Sequence, residues 1–382
     1  MPEKILKEIL IEKTFYKSMI FELDPYDVKY GKVAVHTSIY SVEPQIKLGY
    51  TNFLNKNREK LDIVNKLPES QQKVHLIVNS LEVGNGVAEE FKKKYFKETY
   101  TGELDNQFFH LWEILMDHKL LKDKKPICTA SISTNPDISM TLLSLYRNTE
   151  KDVYCAINYE PTEQTVECHH GRVAKFKIEN LKNVKVLKKD FFERTKEYFK
   201  KKQPANFVFA ELGHQQEPET YEVLIGFIAI GMNILAKEGV FILKVGDIFT
   251  PVTLKLILLL NTCFEKVLIH KPLTAQDHVT DKYIVCINYK EDKDLVKDLT
   301  SLVDKVLKES DEYVQDIFPE LVVPPKFVEK IYDINRQIVH VEYQCINKMY
   351  EFILEKNYYG VKYHNYLEIQ QKNSELWIRK YI

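Results

Sequence analysis

The sequence contains no CxxC pair, and its cysteines occur singly along the chain. They are Cys128, Cys155, Cys168, Cys263, Cys286 and Cys345. Three of them lie in apolar runs, where a buried free thiol is the usual finding. Cys168, His169 and His170 are adjacent, and chain neighbours rarely converge on one ion, so this cluster favours a solvated turn over a ligand set. The pattern predicts no metal site and an intracellular, reducing compartment.

The sequence also lacks an apolar run that could cross a membrane. Its longest runs, such as Leu256–Leu260, are far shorter than the roughly 20 residues that a spanning helix needs. The first residues, MPEKILKEILIEK, are charged throughout, unlike a signal peptide. We therefore expect no membrane partner.

An excess of charge of one sign is absent as well. The chain has 54 Lys and Arg against 55 Asp and Glu, a net charge of -1, so the whole molecule does not predict a polyanionic partner. Local lysine runs occur at 122–125, 188–189 and 200–202. Such runs are usually solvated faces, but two of them on one rim would form a surface for RNA phosphates. We expect the runs at 122–125 and 188–189 to line one rim beside Lys244.

What the sequence does contain is a regular alternation of strand-like and helix-like segments from about Gly102 onward. The segments follow in this order: a helix (NQFFHLWEILMDHKLL), the strand PICTASI, a second helix, the strands VYCAINY, VKVLKKD and NFVFAEL, a long helix, and the strand GVFILKV. This order predicts an α/β fold with a Rossmann-like, doubly wound, mostly parallel sheet. Only a loop joins the last two strands, near Lys266–Ile269 and Tyr283–Asn288, which predicts an antiparallel terminal hairpin.

Three regions follow from the same pattern. Residues 1–100 form a mixed α/β N-terminal extension, 101–290 the alternating domain, and 291–382 a helical C-terminal cap that packs on the sheet. We find no internal repeat and no low-complexity tract.

Four polar residues close strands or face out of the helix before the sheet: His110, Glu211, Lys244 and Asp281. In a parallel sheet of this order they could gather at one rim, as alternating cations and anions. Each has a plainer interpretation, since a histidine on an apolar helix is often a core residue and Glu211 could simply end a strand.

These residues carry a resemblance to the FtsJ-like RNA 2'-O-methyltransferases, most of all to the mRNA cap-specific branch of eukaryotes and large DNA viruses. The similarity covers roughly Gly102–Lys290 and is strongest in the segment that begins EGVFILKVGDIFTPVTLKLILLLNTCF. QQEPETYEVLIGFIAIGMNIL and NQFFHLWEILMDHKLL are similar to two further family helices. The resemblance implies a methyltransferase sheet with N-terminal and C-terminal extensions.

The family's chemistry depends on a Lys-Asp-Lys-Glu tetrad, whose second lysine is thought to deprotonate the ribose 2'-hydroxyl. Only Lys244 matches outright, because His110, Glu211 and Asp281 stand where the family has lysine, aspartate and glutamate. The order of charges survives if His110 is protonated. Displacements of about 1 Å can cost on the order of a hundredfold in rate, so these replacements predict poor catalysis.

The resemblance also implies S-adenosylmethionine as cofactor, held by a glycine-rich turn after the first strand. This chain instead has STNPDIS, where Asn135, Pro136 and Asp137 cross the turn and add a ring and a charge. Asp190 matches the family's adenine-contacting aspartate. The changed turn predicts that the cofactor binds poorly or not at all.

The sequence therefore predicts a catalytically degenerate methyltransferase homologue that acts as a binding module for RNA, such as capped mRNA, or for a protein. An active cap 2'-O-methyltransferase is the first alternative, and a structural subunit of a viral or RNA-processing assembly is the second. The expected compartment is the cytoplasm, the nucleus, or a viral factory or virion.

Overall fold

The structure is a computed structural model that describes part of the chain in detail. The described residues are 18–40, 42–43, 48–68, 74–96, 104–123, 125–133, 136–149, 151–158, 172–177, 189–201, 203–211, 217–308, 312–356 and 359–382. The strands are β1 (Met19–Glu22), β2 (Val35–Ser38), β3 (Cys128–Ser133), β4 (Val153–Asn158), β5 (Arg172–Lys177), β6 (Ala205–Ala210), β7 (Leu235–Val245), β8 (Phe264–Lys271), β9 (Lys282–Tyr289) and β10 (Tyr313–Ile317).

The helices between these strands are mostly of ordinary length for a globular protein. They are α1 (Leu48–Asn65), α2 (Val74–Val78), α3 (Val87–Tyr95), α4 (Asn106–Asp117), α5 (Pro136–Arg147), α6 (Lys189–Lys201), α7 (Tyr221–Ile234), α8 (Pro251–Cys263), α9 (Lys293–Lys308), α10 (Pro325–Glu355) and α11 (Val361–Tyr381). None of the described helices combines the length and the apolar character that a membrane crossing requires.

The described strands form an eight-stranded main sheet in the order β1-β8-β9-β7-β6-β3-β4-β5. Strands β7, β6, β3, β4 and β5 run parallel to one another, whereas β9 is antiparallel to both β7 and β8. Chain order reverses between β3 and β6, so the helices that follow these strands must lie on opposite faces. The predicted doubly wound, mostly parallel sheet with an antiparallel hairpin is confirmed.

Two apolar cores, one on each face, confirm this layering. One contains side chains of α7, α8, α9 and α10, and the other contains side chains of α3, α4, α5 and α11. Along β7, Phe241 and Leu243 enter the first core, while Val240 and Ile242 enter the second. This alternation is the normal period of a strand buried on both faces.

The sequence pattern predicted mixed α/β structure for the N-terminal extension without locating its strands, and it predicted no strand for the C-terminal region, but both regions contribute strands. From the N-terminal extension, β1 pairs antiparallel with β8 and so becomes an edge of the main sheet. Strand β2 pairs with β10 of the C-terminal region in a small separate sheet. The C-terminal extension is otherwise helical, as expected. The proposed division at residues 100 and 290 remains a prediction, and these pairings cross both boundaries.

Two segments differ from the expected strand and helix positions. The strand that follows β4 along the chain is β5, at Arg172–Lys177, whereas residues 184–188 of the expected VKVLKKD strand lie outside the described residues. Strand β7 begins at Leu235, earlier than the expected GVFILKV segment, because helix α7 already ends at Ile234. Glu238 takes a positive φ of 62°. Ala205 pairs with Leu235 but Phe207 with Val240, so the pairing register between β6 and β7 shifts near the start of β7.

Close packing between α7 and β7 generates a stability prediction. A β-carbon at Gly231 would lie 2.8 Å from Cε2 of Phe241, which is too short for a real contact. We expect Gly231→Val to lower the free energy of unfolding by about 1–3 kcal/mol, because the core must shift to admit the side chain. Urea unfolding measures this, and Gly84→Val is the matched control because a β-carbon added at Gly84 would have no atom within 4 Å. Equal effects of the two substitutions would contradict the proposed packing constraint.

Candidate functional site

The carboxyl ends of β6 and β7 and the start of β9 meet at one edge of the main sheet. Glu211 directly follows β6, Lys244 is the penultimate residue of β7, and Asp281 directly precedes β9. Lys244 pairs in register with Tyr283 of β9. Strand alternation places Lys244 on the face of Val240 and Ile242, which is also the face of Tyr283 and of helix α4. The charged side chains of Glu211, Lys244 and Asp281 therefore lie together at this edge, on the face that packs against α4.

Three of the four predicted tetrad residues are in direct contact. The Nζ atom of Lys244 lies 3.1 Å from Oε1 of Glu211 and 3.0 Å from Oδ2 of Asp281. The Lys244 side chain is only 9% exposed, so the ammonium is largely withdrawn from water. A buried ammonium requires such partners, since the desolvation cost of an unpaired charge is several kcal/mol.

The fourth residue, His110 of α4, joins the group through a tyrosine. Its Nδ1 lies 3.0 Å from the hydroxyl of Tyr283, and both side chains are buried. Burial lowers the pKa of His110 to about 4, and the nearby Lys244 lowers it too, against the opposing effect of Asp281. The imidazole is therefore neutral at pH 7. The alternation of charges expected for a protonated His110 does not arise.

The protonation state of Lys244 is set by competing effects. Burial lowers its pKa, but the attraction of Asp281 and Glu211 and the hydrogen bonds to them together raise it above the ordinary value. Lys244 is consequently an ammonium ion at neutral pH. A lysine of this kind has no lone pair with which to accept a proton, unlike a lysine whose pKa is depressed by a neighbouring cation.

Glu211 is the group at this edge that titrates near neutrality. Burial raises its pKa to about 7, Lys244 lowers it, and Asp105 and Asp281 raise it further. Asp105 caps the amino end of α4 by accepting a hydrogen bond of 2.9 Å from the Phe108 amide. Sequence reasoning missed Asp105 and Tyr283, although an aspartate directly before a helix-forming run is a recognisable cap signal.

The proposed cofactor residues are only partly within the described chain. Asn135 lies outside it. Asp137 is the second residue of α5 and Asp190 the second residue of α6, but their side chains are not among those described. Helix α5 begins on Pro136, shortly after β3 ends at Ser133. The cofactor assignments remain predictions.

The lysine runs do not share one edge. Of the described residues in two of the runs, Lys122 and Lys125 precede β3, and Lys200 and Lys201 precede β6. They therefore lie at the amino ends of these parallel strands, at the edge opposite Lys244. Helix α6 ends shortly before β6, so its first residue, Lys189, lies toward the edge that carries Lys244. The expectation that residues 122–125 line the rim beside Lys244 is wrong, because they enter rather than leave their strand.

Comparison with known proteins shows a family similarity for the same segment. Residues 166–289, which include Glu211, Lys244 and Asp281, match the family model described as FtsJ-like methyltransferase. This part of the chain is similar to the FtsJ-like methyltransferases.

Curated proteins similar to part of the chain are named cap-specific mRNA methyltransferases. The chain is 31% identical over 145 residues to cap-specific mRNA (nucleoside-2'-O-)-methyltransferase 1 of Xenopus laevis, an alignment that covers 36% of this chain and 17% of the relative. It is 28% identical over 114 residues to methyltransferase 2 of the same kind from Drosophila melanogaster, covering 30% and 16%. The matches thus span less than a fifth of these relatives' length.

Among solved structures, human methyltransferase-like protein 13 in complex with SAH is similar at 13% identity, with a TM-score of 0.29. The match covers 53% of this chain and 89% of that one. The fold assignment made above rests on strand order and direction.

Elements outside the matched segment hold the loop that leaves β7. Arg58 of α1 donates to both carboxylate oxygens of Asp247, at 2.7 and 3.0 Å, and to Glu342 of α10 at 2.5 and 3.1 Å. Lys282, whose pKa is lowered by burial to about 8, donates to the carbonyls of Gly246 and Thr280. These contacts hold the end of β7 and the start of β9 in place next to the candidate site.

The raised pKa of Glu211 predicts a characteristic dependence of stability on pH. The folded-state pKa of about 7 exceeds the ordinary value of 4.5, so the folded protein binds the proton more tightly than the unfolded chain. This contribution is fully present below pH 4.5 and is lost as the pH rises to about 7. We expect wild-type protein to lose stability relative to Glu211→Gln across this window. Melting temperatures of both proteins at about pH 4.5–8 test this, and a constant difference would refute it.

Proposed function

We propose that this protein is a cap 2'-O-methyltransferase homologue with impaired methyl-transfer chemistry, which functions as a binding module for capped, single-stranded RNA. The observation that carries the proposal is the Lys244 ammonium held between Glu211 and Asp281, next to a neutral His110. That arrangement keeps charge and shape at the sheet edge, but it leaves Lys244 without a lone pair that could accept a proton.

The chemical argument starts from the proton of a ribose 2'-hydroxyl. An oxygen nucleophile of this kind must pass its proton to a nearby base whose pKa suits the working pH. Lys244 retains its own proton, and His110 is buried with its Nδ1 occupied by Tyr283. The carboxylates at 211 and 281 also differ by one methylene from the residues that the family pattern places there. These changes support a site that binds rather than one that turns over rapidly.

The described residues do not fit S-adenosylmethionine well. The amino end of the helix after the first parallel strand usually offers backbone N–H groups to a ligand, but α5 begins with Pro136, which has none. The sequence between β3 and α5 contains no glycine that would let a ligand approach the backbone closely. We therefore propose no reaction step that uses this cofactor.

RNA is the favoured ligand for two reasons. The curated relatives named above are cap-specific mRNA methyltransferases, and the matched segment includes three of the four proposed site residues. The start of α6 adds Lys189, with Lys188 before it in the sequence, on the side of the sheet that carries Lys244. Lysines at such a position attract phosphates and give salt-sensitive binding.

A charge-reversal pair tests this proposal. Replacing Lys188 and Lys189 by glutamate should weaken binding of a capped, single-stranded RNA at low salt by about tenfold or more, because phosphate contacts are lost. Replacing Lys122 and Lys125 by glutamate changes the charge equally at the opposite edge and should leave the affinity within about twofold. Fluorescence anisotropy at several salt concentrations measures both affinities.

The proposal is rejected if wild-type protein fails to bind RNA at low ionic strength. That outcome would favour the structural-subunit interpretation, or a protein partner in place of RNA. Equal loss in both double variants would show that binding follows net charge and does not involve this edge.

A second candidate function is an active S-adenosylmethionine-dependent cap 2'-O-methyltransferase. Two observations favour it. Lys244, Glu211 and Asp281 are in direct contact. The pKa of Glu211 is near 7, a value that suits proton transfer at neutral pH.

Cofactor calorimetry distinguishes the two candidates. Under the first proposal, S-adenosylmethionine should show no saturable binding at micromolar concentration and no methyl group should reach capped RNA. A dissociation constant in the micromolar range, about −8 kcal/mol, would instead favour the active enzyme. Mass spectrometry of the RNA, with Lys244→Ala as the control protein, reports transfer directly.

A further inference from the structure

A groove lies between helices α6 and α9, at the edge of the main sheet opposite Lys244. Both helices pack on α7 and also contact each other, so they form the walls of the groove, and the last turn of α7 contributes its floor. The lining reaches Pro204, directly before β6, and Leu235, the first residue of β7. The groove encloses about 800 Å³ and is partly open to solvent. It is separate from the candidate site.

The floor of this groove is apolar. Phe199 of α6 and Met232 and Ile234 of α7 line it, and each is at most 3% exposed. More accessible apolar surface comes from the exposed Pro204, from the half-buried Val296 and from the methylene stems of lysines in the walls. A ligand that fills the groove must therefore present apolar groups to its floor.

Each wall carries two exposed lysines that are four residues apart. They are Lys196 and Lys200 on α6, and Lys293 and Lys297 on α9. Residues with this spacing lie on one helical face, about 6 Å apart along the axis, so a row of ammonium groups borders the floor on each side. Lys293 pairs with Glu291 at 3.3 Å, whereas the other three lysines have no ion-pair partner among the residues that the structure describes.

The carboxylates at the start of α9 do not line the groove. Asp292 directly precedes this helix, and Asp294 and Asp298 lie on it. They act on Tyr30 instead, because burial raises the pKa of Tyr30 to about 12 and all three carboxylates raise it further. Helix α9 therefore turns these acidic residues away from the groove and its two lysines toward it.

The groove as a whole is positively charged. On α6, Glu197 pairs with Lys201 at 3.6 Å, and neither residue belongs to the lining. Two carboxylates do line the groove, Glu291 and, about two turns beyond Lys297, Asp304. Within the described part of the chain, four lysines in the lining thus face two carboxylates. This excess favours an anionic ligand.

We propose that a partner protein docks in this groove through an acidic amphipathic helix. Such a helix presents an apolar stripe, with side chains at i, i+3, i+4 and i+7, to a groove of this kind. Glutamates four residues apart on either side of the stripe have the same spacing of about 6 Å as the lysines and pair with both walls. The charges orient the partner and speed its encounter, while the floor supplies apolar contact.

The lining fits a protein helix better than a nucleic acid. Unpaired bases bind on exposed aromatic ring faces, whereas Phe199 and Tyr289 in this groove are each 2% exposed. Glu291 and Asp304 repel phosphates, but a protein helix can place a neutral or basic residue opposite each of them. The inference does not depend on RNA binding at the Lys244 edge.

A designed peptide tests the proposal on the full-length chain. The probe is a fluorescein-labelled peptide of about 18 residues, long enough to form a helix, with a leucine stripe flanked by glutamates four residues apart. Fluorescence anisotropy should give a dissociation constant on the order of 10–100 μM. A peptide of the same composition in scrambled order should bind at least about tenfold more weakly, because it has no apolar stripe.

A charge-reversal pair locates the binding surface. Lys196→Glu combined with Lys297→Glu changes one lysine on each wall and should weaken peptide binding by about tenfold or more, because attraction becomes repulsion. The matched control combines Lys93→Glu and Lys372→Glu, which change exposed lysines on α3 and α11 at the other face of the sheet. Its affinity for the peptide should stay within about twofold of wild type.

Ser301→Trp blocks the groove without a change of charge. Ser301 is an exposed residue of the lining, so the indole should fill part of the groove and weaken peptide binding by about tenfold while the fold is retained. Circular dichroism verifies the fold of each variant. Binding of capped RNA, measured in parallel, should be the same in all of these proteins as in wild type.

Four results would overturn the proposal: no saturable binding of the peptide to wild type, equal affinity for the scrambled peptide, equal loss in the two charge-reversal proteins, or unchanged affinity in a folded Ser301→Trp protein. If the substitutions at Lys196 and Lys297 weaken binding of capped RNA and leave peptide binding unchanged, the groove is a nucleic-acid surface and the proposal is wrong.

Discussion

The pairing of Lys244 with Glu211 and Asp281 is the interaction on which the candidate site depends. A buried ammonium is tolerated only with partners in contact, and removing one partner of a buried ion pair typically costs about 3–5 kcal/mol. Here the partners come from the ends of different strands, so the sheet must hold β6, β7 and β9 in register for the charge to be satisfied. The same pairing that stabilises the cation also sets its protonation state, which links the fold directly to the chemistry available at the edge.

Helix α4 connects this edge to the rest of the molecule. Its cap, Asp105, influences Glu211; its middle carries His110; and its later turns carry Glu113 and Asp117. Contacts with Trp377 and Tyr381 fasten the same helix to α11. A substitution in α11 that moves α4 would therefore also move Asp105 and His110 at the sheet edge.

The sequence was sufficient for the arrangement of the main sheet because alternating apolar segments leave few ways to stack strands and helices. It also placed Glu211, Lys244 and Asp281 together, since the ends of neighbouring strands must meet. It could not give the neutral state of His110, which arises from burial against Tyr283. Nor could it show β1, whose four residues carry too little pattern to be distinguished from a loop. The sequence alone could have shown that Lys122 and Lys125 lie at the edge of the sheet opposite Lys244. They precede a parallel strand, whereas Lys244 lies near the end of one.

Strand β1 has a consequence for the solubility of the chain. It pairs with residues 268–271 of β8, a longer and largely buried strand that would otherwise end the sheet formed by the described strands. Unpaired edges of this kind recruit strands from other molecules, whereas a four-residue edge ending in Glu22 offers little to extend. The short N-terminal strand thus serves as a barrier to intermolecular β-pairing, and shortened versions of the protein that begin after Glu22 would expose a surface suited to self-association.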